Sequence, residues 1–64
     1  MKTGDRCKLI KKTFLHKGIF ILTNSIVEIV QIISDENIEV IYFDKEGYSH
    51  LIPNIKKSEL EVLQ

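Results

Sequence analysis

Three side chains in this chain are of the types that serve as nucleophiles, proton carriers or soft metal ligands: Cys7, His16 and His50. A structural zinc site needs four ligands and usually shows close-spaced pairs, but these three residues are widely separated along the sequence. A Cys–His nucleophilic pair also needs a third group that orients the histidine, and the sequence points to none. We therefore predict a buried thiol and two surface imidazoles, with no metal, no cofactor and no enzymatic activity.

The glycines, at positions 4, 18 and 47, are too dispersed to form a phosphate-binding loop. Glycine takes positive φ more readily than any other residue, so each glycine is predicted to shape a turn. No small-molecule substrate is evident from the sequence.

A basic cluster lies in the N-terminal third. Residues 1–24 hold six basic residues and one acidic residue, whereas residues 25–64 hold three basic and eight acidic residues, and the formal net charge is zero. Lysines beside aromatic rings are typical of surfaces that follow a phosphate backbone while a ring stacks on a base. An isoelectric point of about 6.7 instead favours a solvated face or a protein contact. If early and late strands interleave, the two sets of charges neutralise each other. The candidate binding surface comprises Lys8, Lys11, Lys12, His16, Lys17, Phe20, Tyr42 and Tyr48.

Length and composition indicate one small β domain spanning residues 1–64. Eleven isoleucines and four valines favour strands, and alanine, the best helix former, does not occur in the sequence. A single cysteine forms no internal disulfide, and charges occupy the N-terminal positions where a signal peptide needs apolar residues. The apolar runs are too short to span a membrane. A soluble, cytoplasmic, all-β protein is predicted.

Apolar alternation places the first strand at residues 5–12. Residues 13–25 are predicted to be a long, partly folded loop whose apolar side chains pack onto the core, closed by a turn at positions 24 and 25. Six of the eight residues at 26–33 are β-branched, which favours a strand with a bulge that absorbs its broken alternation. Ser25 and Glu28, with Gln31 three residues further on, also fit a short capped helix, so this alternative stays open.

The strands and turns of the second half of the chain are predicted more clearly by their sequence pattern. A turn at residues 34–37 leads to a strand at residues 37–43, and residues 44–47 form a hairpin connection with Gly47 in the left-handed conformation. The return strand covers residues 48–53 and ends its regular pairing at Pro53, which has no N–H. A single helical turn at residues 54–60 precedes a closing strand at residues 61–63. Five such strands leave no unpaired edge strand if they close into a small barrel, so a barrel is the predicted arrangement.

Four segments form a series along the chain: Gly4-Asp5-Arg6-Cys7-Lys8-Leu9, Ser25-Ile26-Val27-Glu28-Ile29, the hairpin from Val40 to Gly47, and Leu60-Glu61. In this series the chain resembles small bacterial and phage domains of SH3-like barrel type. The resemblance implies an all-β, five-stranded SH3-like barrel with a long loop after strand 1 and a short helical turn before the last strand. Asn24 stands where the glycine-dependent KOW motif commonly has glycine. The chain also has no tryptophan for the aromatic groove that grips proline-rich peptides.

Apolar side chains exceed what one small core is expected to hold. Residues 19–22 are all apolar, and residues 38–43 carry apolar side chains on both faces of their strand. A contiguous exposed remainder marks a protein interface or a self-association surface. The leading hypothesis is a non-catalytic protein-binding module of accessory or inhibitor type, or a homodimer. The alternative is nucleic-acid binding through the basic face from Lys8 to Lys17.

Overall fold

The computed structural model describes residues 1–63. Strands make up 59% of the described residues and helix 5%, so the predicted all-β class is confirmed. The helical residues described here are too few to form a segment that crosses a membrane. The elements are β1 (Arg6–Leu9), β2 (Phe14–His16), β3 (Ile19–Ile21), β4 (Ser25–Ser34), β5 (Asn37–Phe43), β6 (Ser49–Ile55), a 3₁₀ turn (Lys57–Glu59) and β7 (Leu60–Val62).

Five strands form an antiparallel sheet in the order β6-β5-β4-β1-β7, and β2 and β3 form a separate two-stranded sheet. Strands β4, β5 and β6 follow one another as a meander, and β1 lies between β4 and β7. Within residues 1–63, β6 and β7 do not pair with each other, so the hydrogen-bonded sheet is open.

The prediction of a long loop after β1 is wrong in part, because residues 13–25 contain the hairpin formed by β2 and β3. His16 pairs with Ile19, and the two residues between them, Lys17 and Gly18, have φ values of 48° and 87°. Two consecutive residues with positive φ form the tight hairpin turn whose twist matches that of paired strands. The predicted turn after the hairpin is confirmed, since Asn24 has a φ of 72°.

The ambiguous segment at residues 26–33 is a strand, as preferred, and β4 extends one residue beyond it at each end. Its register against β5 shifts between Ile29 and Gln31, so Val30 is the extra residue of a bulge. A bulge leaves one residue unpaired and bends the strand locally. The predicted bulge is therefore confirmed, and a two-residue connection, Asp35 and Glu36, then leads into β5.

Regular pairing of β6 ends at Pro53, as predicted, but the strand itself continues past Pro53, contrary to expectation. Ile52 pairs with Val40 and Ile55 pairs with Ile38, so the register shifts across Pro53 and Asn54 and the strand continues to Ile55. Asn54 has a φ of 62°, a conformation that asparagine tolerates. The predicted helical turn is limited to Lys57–Glu59, and the last strand begins one residue earlier than expected.

The core lies between the inner face of the five-stranded sheet and the β2–β3 hairpin. Ile21 is the fully buried residue that the hairpin contributes, and Phe14 and Ile19 pack against the same cluster. Burial raises the pKa of the Cys7 thiol, which keeps the thiol protonated and unreactive. The core residues are Cys7, Leu9, Ile21, Val27, Ile29, Ile38, Val40, Ile52, Ile55 and Leu60.

Candidate binding surface

The outer face of the β2–β3 hairpin carries three apolar side chains that point to solvent. Leu15 and Phe20 are cross-strand partners, and Leu22 follows Phe20 on the same face. Their exposed fractions are 62%, 68% and 58%, respectively. Such contiguous exposure is uncommon in small soluble domains unless the surface binds something. We call Leu15, Phe20 and Leu22 the hairpin surface.

Hydrogen bonds hold the hairpin in place. The Nε2 atom of His16 lies 3.0 Å from the carbonyl oxygen of Leu51 in β6, so a proton on Nε2 donates to that carbonyl. At the base of the hairpin, the Thr23 hydroxyl donates to the Lys11 carbonyl at 2.9 Å, and the Thr23 N–H donates to the Thr13 hydroxyl. His16, a predicted surface residue, thus attaches the hairpin to the sheet and keeps the hairpin surface in a fixed orientation.

The predicted basic residues do not form one continuous basic face. Lys8 projects from the outer face of the five-stranded sheet and has Glu61 as its cross-strand neighbour on β7. The Lys11 ammonium lies 3.8 Å from the Glu59 carboxylate and 4.6 Å from the centre of the Phe14 ring. Glu59 therefore forms an ion pair with Lys11, and Glu61 lies beside Lys8, because the early and late strands interleave as anticipated.

Lys12 and Lys17 are exposed and flank the hairpin surface. Lys12 precedes β2, and Lys17 lies in the turn between β2 and β3. No acidic residue occurs in the sequence between Asp5 and Glu28. The hairpin therefore combines an apolar centre with a positively charged rim.

The two predicted tyrosines belong to another part of the molecule. Tyr42 is half-buried against the core, and its ring centre lies 6.1 Å from that of His50. Tyr48 is exposed at the connection between β5 and β6. Asp44 organises this connection by accepting the backbone N–H groups of Glu46 and Tyr48 at 2.9 Å each. Tyr42 and Tyr48 are therefore placed by the β5–β6 hairpin, whereas Phe20 is placed by β2–β3.

A hydrogen bond from His50 to Asp44, with Nε2 2.9 Å from Oδ2, lowers the pKa of the Asp44 carboxyl below its ordinary value of 3.8. The backbone bonds from Tyr48 and Glu46 act in the same direction. The folded chain therefore binds this proton less tightly than the unfolded chain does. The resulting stabilisation is present above the unfolded-state pKa and is lost as the pH falls through the folded-state pKa.

We therefore expect Asp44→Asn to reduce the acid sensitivity of the fold. Its urea midpoint should decrease less than that of the wild type between neutral pH and about pH 2.5, because the variant has no carboxylate to protonate here. Other carboxylates titrate in both proteins. The difference between the two decreases in urea midpoint therefore measures the contribution of Asp44. Equal decreases would show that the contact with His50 contributes nothing to stability.

A second exposed apolar surface lies on the outer face of the five-stranded sheet, and it includes Ile41 and Phe43 of the strand predicted to carry apolar side chains on both faces. Ile41 and Leu51 are cross-strand partners there, and Ile26 and Phe43 line one shallow concavity of about 320 Å³. Arg6, Val27 and Glu28 complete the wall of this concavity. We call Ile26, Ile41, Phe43 and Leu51 the outer sheet patch.

The three potential soft ligands are placed in three separate environments. Cys7 is in the core, His16 faces the Leu51 carbonyl, and His50 contacts Asp44. Within the described part of the chain, no three side chains of histidine, cysteine, aspartate or glutamate cluster as metal ligands would.

Comparisons with protein-family models, with curated proteins and with solved structures gave no significant match to this chain. The hairpin surface and the outer sheet patch are accordingly defined by the burial and strand register of this chain alone.

Proposed function

We propose that this chain is a cytoplasmic, non-catalytic protein-binding module that holds its partner through the hairpin surface. We further propose that its strands are arranged as an SH3-like barrel. The strand order β6-β5-β4-β1-β7, the hairpin inserted between β1 and β4, and the 3₁₀ turn before β7 support this arrangement. The buried, unpaired Cys7 thiol suits a reducing compartment.

The exposure of Leu15, Phe20 and Leu22 on one face of an anchored hairpin is the observation that carries the proposal. Fully burying a leucine or phenylalanine side chain stabilises a complex by roughly 1.5–3 kcal/mol, so three neighbouring side chains provide a substantial driving force. Aromatic side chains at the centre of an interface often contribute most of its binding energy. The hairpin is held in place before binding, which reduces the entropy lost on association.

The charges around the hairpin favour an acidic protein surface over a nucleic acid. Glu61 and Glu59 lie beside Lys8 and Lys11, which leaves Lys12 and Lys17 at the rim of the hairpin surface. Two cations provide few phosphate contacts, whereas nucleic-acid affinity grows with the number of phosphates neutralised. A protein partner with an apolar centre and an acidic rim complements this surface in both respects.

A pull-down with the tagged chain from its native cells tests the proposal. We expect the wild type to capture a protein that the double variant Phe20→Ser/Leu22→Ser loses by at least tenfold, because the apolar centre is removed. Ile33→Ser is the matched control, since Ile33 is similarly exposed, at 57%, but lies on β4 outside the hairpin surface. Equal capture by the wild type and the double variant would refute a role for this surface.

Nucleic-acid binding is tested separately with purified protein and mixed single- and double-stranded oligonucleotides. Binding to phosphates weakens steeply as the salt concentration rises. We expect no binding at low salt. Salt-sensitive binding that is lost in Lys12→Gln/Lys17→Gln would replace the protein-binding proposal with the nucleic-acid alternative.

A further inference from the structure

The outer sheet patch is a second apolar surface, separate from the hairpin surface. An antiparallel sheet with one solvated face normally presents polar side chains on that face. Here Ile26, Phe43 and Leu51 are exposed, Ile41 is half-buried, and together they occupy adjoining positions on β4, β5 and β6. An apolar cluster of this kind on a sheet face indicates an interface.

Charged residues of both signs border the outer sheet patch. Arg6 lies opposite Glu28 in the register of β1 and β4, and Lys8 lies opposite Glu61 in the register of β1 and β7. These four side chains sum to zero net charge, and Glu39, two residues before Ile41 on the outer side of β5, adds one negative charge. A strongly acidic or strongly basic partner would therefore gain little from this border, whereas a surface with both signs is able to complement a copy of itself.

We infer that the outer sheet patch is the interface of a homodimer with twofold symmetry. In such an interface the same patch meets itself, so that residue i of one copy contacts residue j of the other and the reverse. The two apolar clusters then cover each other, and Arg6 of each copy faces Glu28 of the other. The concavity beside Ile26 and Phe43 offers space for an apolar side chain of the opposite copy.

The size of the molecule permits this interface. A stable complex buries roughly 800 Å² on each partner, which is less than one fifth of this chain's 4491 Å² surface. The hairpin surface remains available for a different protein.

Sedimentation equilibrium of the purified protein tests the inference. We expect the wild type to reach about twice its monomer mass of 7.4 kDa at micromolar to millimolar concentrations. Phe43→Glu should weaken this self-association at least tenfold, because it places a charge in the apolar centre of the interface. The matched control Phe20→Glu changes the hairpin surface and should leave the dimer intact.

A charge exchange tests the symmetry itself. Arg6→Glu alone brings like charges together across the twofold axis, and so does Glu28→Arg alone, so each variant should dimerise at least tenfold more weakly than the wild type. An equimolar mixture of the two variants should recover the dimer, since every contact across the axis again joins opposite charges. Circular dichroism of each variant checks that the strands are retained.

Three results would overturn the inference. The first is that the wild type stays monomeric at about 1 mM. The second is that Phe20→Glu disrupts the dimer whereas Phe43→Glu does not, and the third is that the mixture of charge variants does not recover the dimer. Because the hairpin variants test the proposed function and the patch variants test the dimer, either proposal is able to fail without the other.

Discussion

Replacing Ile29 with alanine is expected to destabilise the fold by about 2–5 kcal/mol, the range for removing a large buried aliphatic side chain. Ile29 is fully buried on β4, next to the Val30 bulge, and packs at the centre of the sheet. A 64-residue domain has a total stability of roughly 3–10 kcal/mol. This single change therefore removes a large part of the total and should lower the urea midpoint markedly.

Urea unfolding followed by circular dichroism measures this effect, and Ile33→Ala provides the matched control. Ile33 has the same side chain on the same strand but is 57% exposed, so its truncation should change stability by less than about 0.5 kcal/mol. A similar loss in the two variants would mean that β4 does not direct Ile29 into the core.

Replacing Ile21 with alanine should release the β2–β3 hairpin before the rest of the fold opens. Ile21 is the fully buried side chain of the hairpin, and in residues 1–63 strands β2 and β3 pair only with each other. The hairpin is also attached to the rest of the fold by the hydrogen bond between His16 and the Leu51 carbonyl, and by the partial burial of Phe14 and Ile19 against the core. We expect a loss of about 2–5 kcal/mol, concentrated in this segment.

Amide hydrogen exchange resolved by residue distinguishes local from global opening. In Ile21→Ala, the amides of β2 and β3 should exchange at least tenfold faster than those of β5, relative to the wild type. Leu22→Ala is the control, since Leu22 is the next residue and is exposed. If every strand loses protection equally, the hairpin is not a separate cooperative unit. Partner capture should decrease along with hairpin protection, because the hairpin surface loses its fixed orientation.

The five-stranded sheet was largely predictable because its pattern is local. The predicted bounds of strand β5 are the observed ones, and the β-branched residues of β4 identify it as a strand despite the broken alternation at Val30. The continuation of β6 past Pro53 was not predictable in this way. It depends on the register shift opposite β5 and on the positive φ of Asn54, both of which are set by pairing with another strand.

The local sequence does not predict the β2–β3 hairpin, for two physical reasons. Residues 19–22 are all apolar, so they show no alternation that separates a buried face from an exposed one. Its turn also uses Lys17 at positive φ, where asparagine, aspartate or glycine is the usual signal. Leu15 is consequently absent from the predicted binding surface, although the surplus of apolar side chains predicts an exposed apolar cluster.

The candidate site was predictable in composition but not in arrangement. Phe20, Lys12 and Lys17 are exposed on or beside the hairpin, whereas Lys11 is paired with Glu59 and His16 is bonded to Leu51. Charge partners and carbonyl contacts of this kind join residues that are distant in sequence, so they follow from strand order and not from local pattern.

The place of β1 between β4 and β7 has a consequence for the route by which the chain folds. Cys7 pairs with Val27 on one side and with Val62, 55 residues further along, on the other. Contacts of such long range close large loops, and the associated loss of chain entropy slows folding. The β4–β5–β6 meander needs only short loops and is expected to form first. The first and last strands of the chain then complete the sheet together, so the overall folding rate depends on this late joining of the two ends.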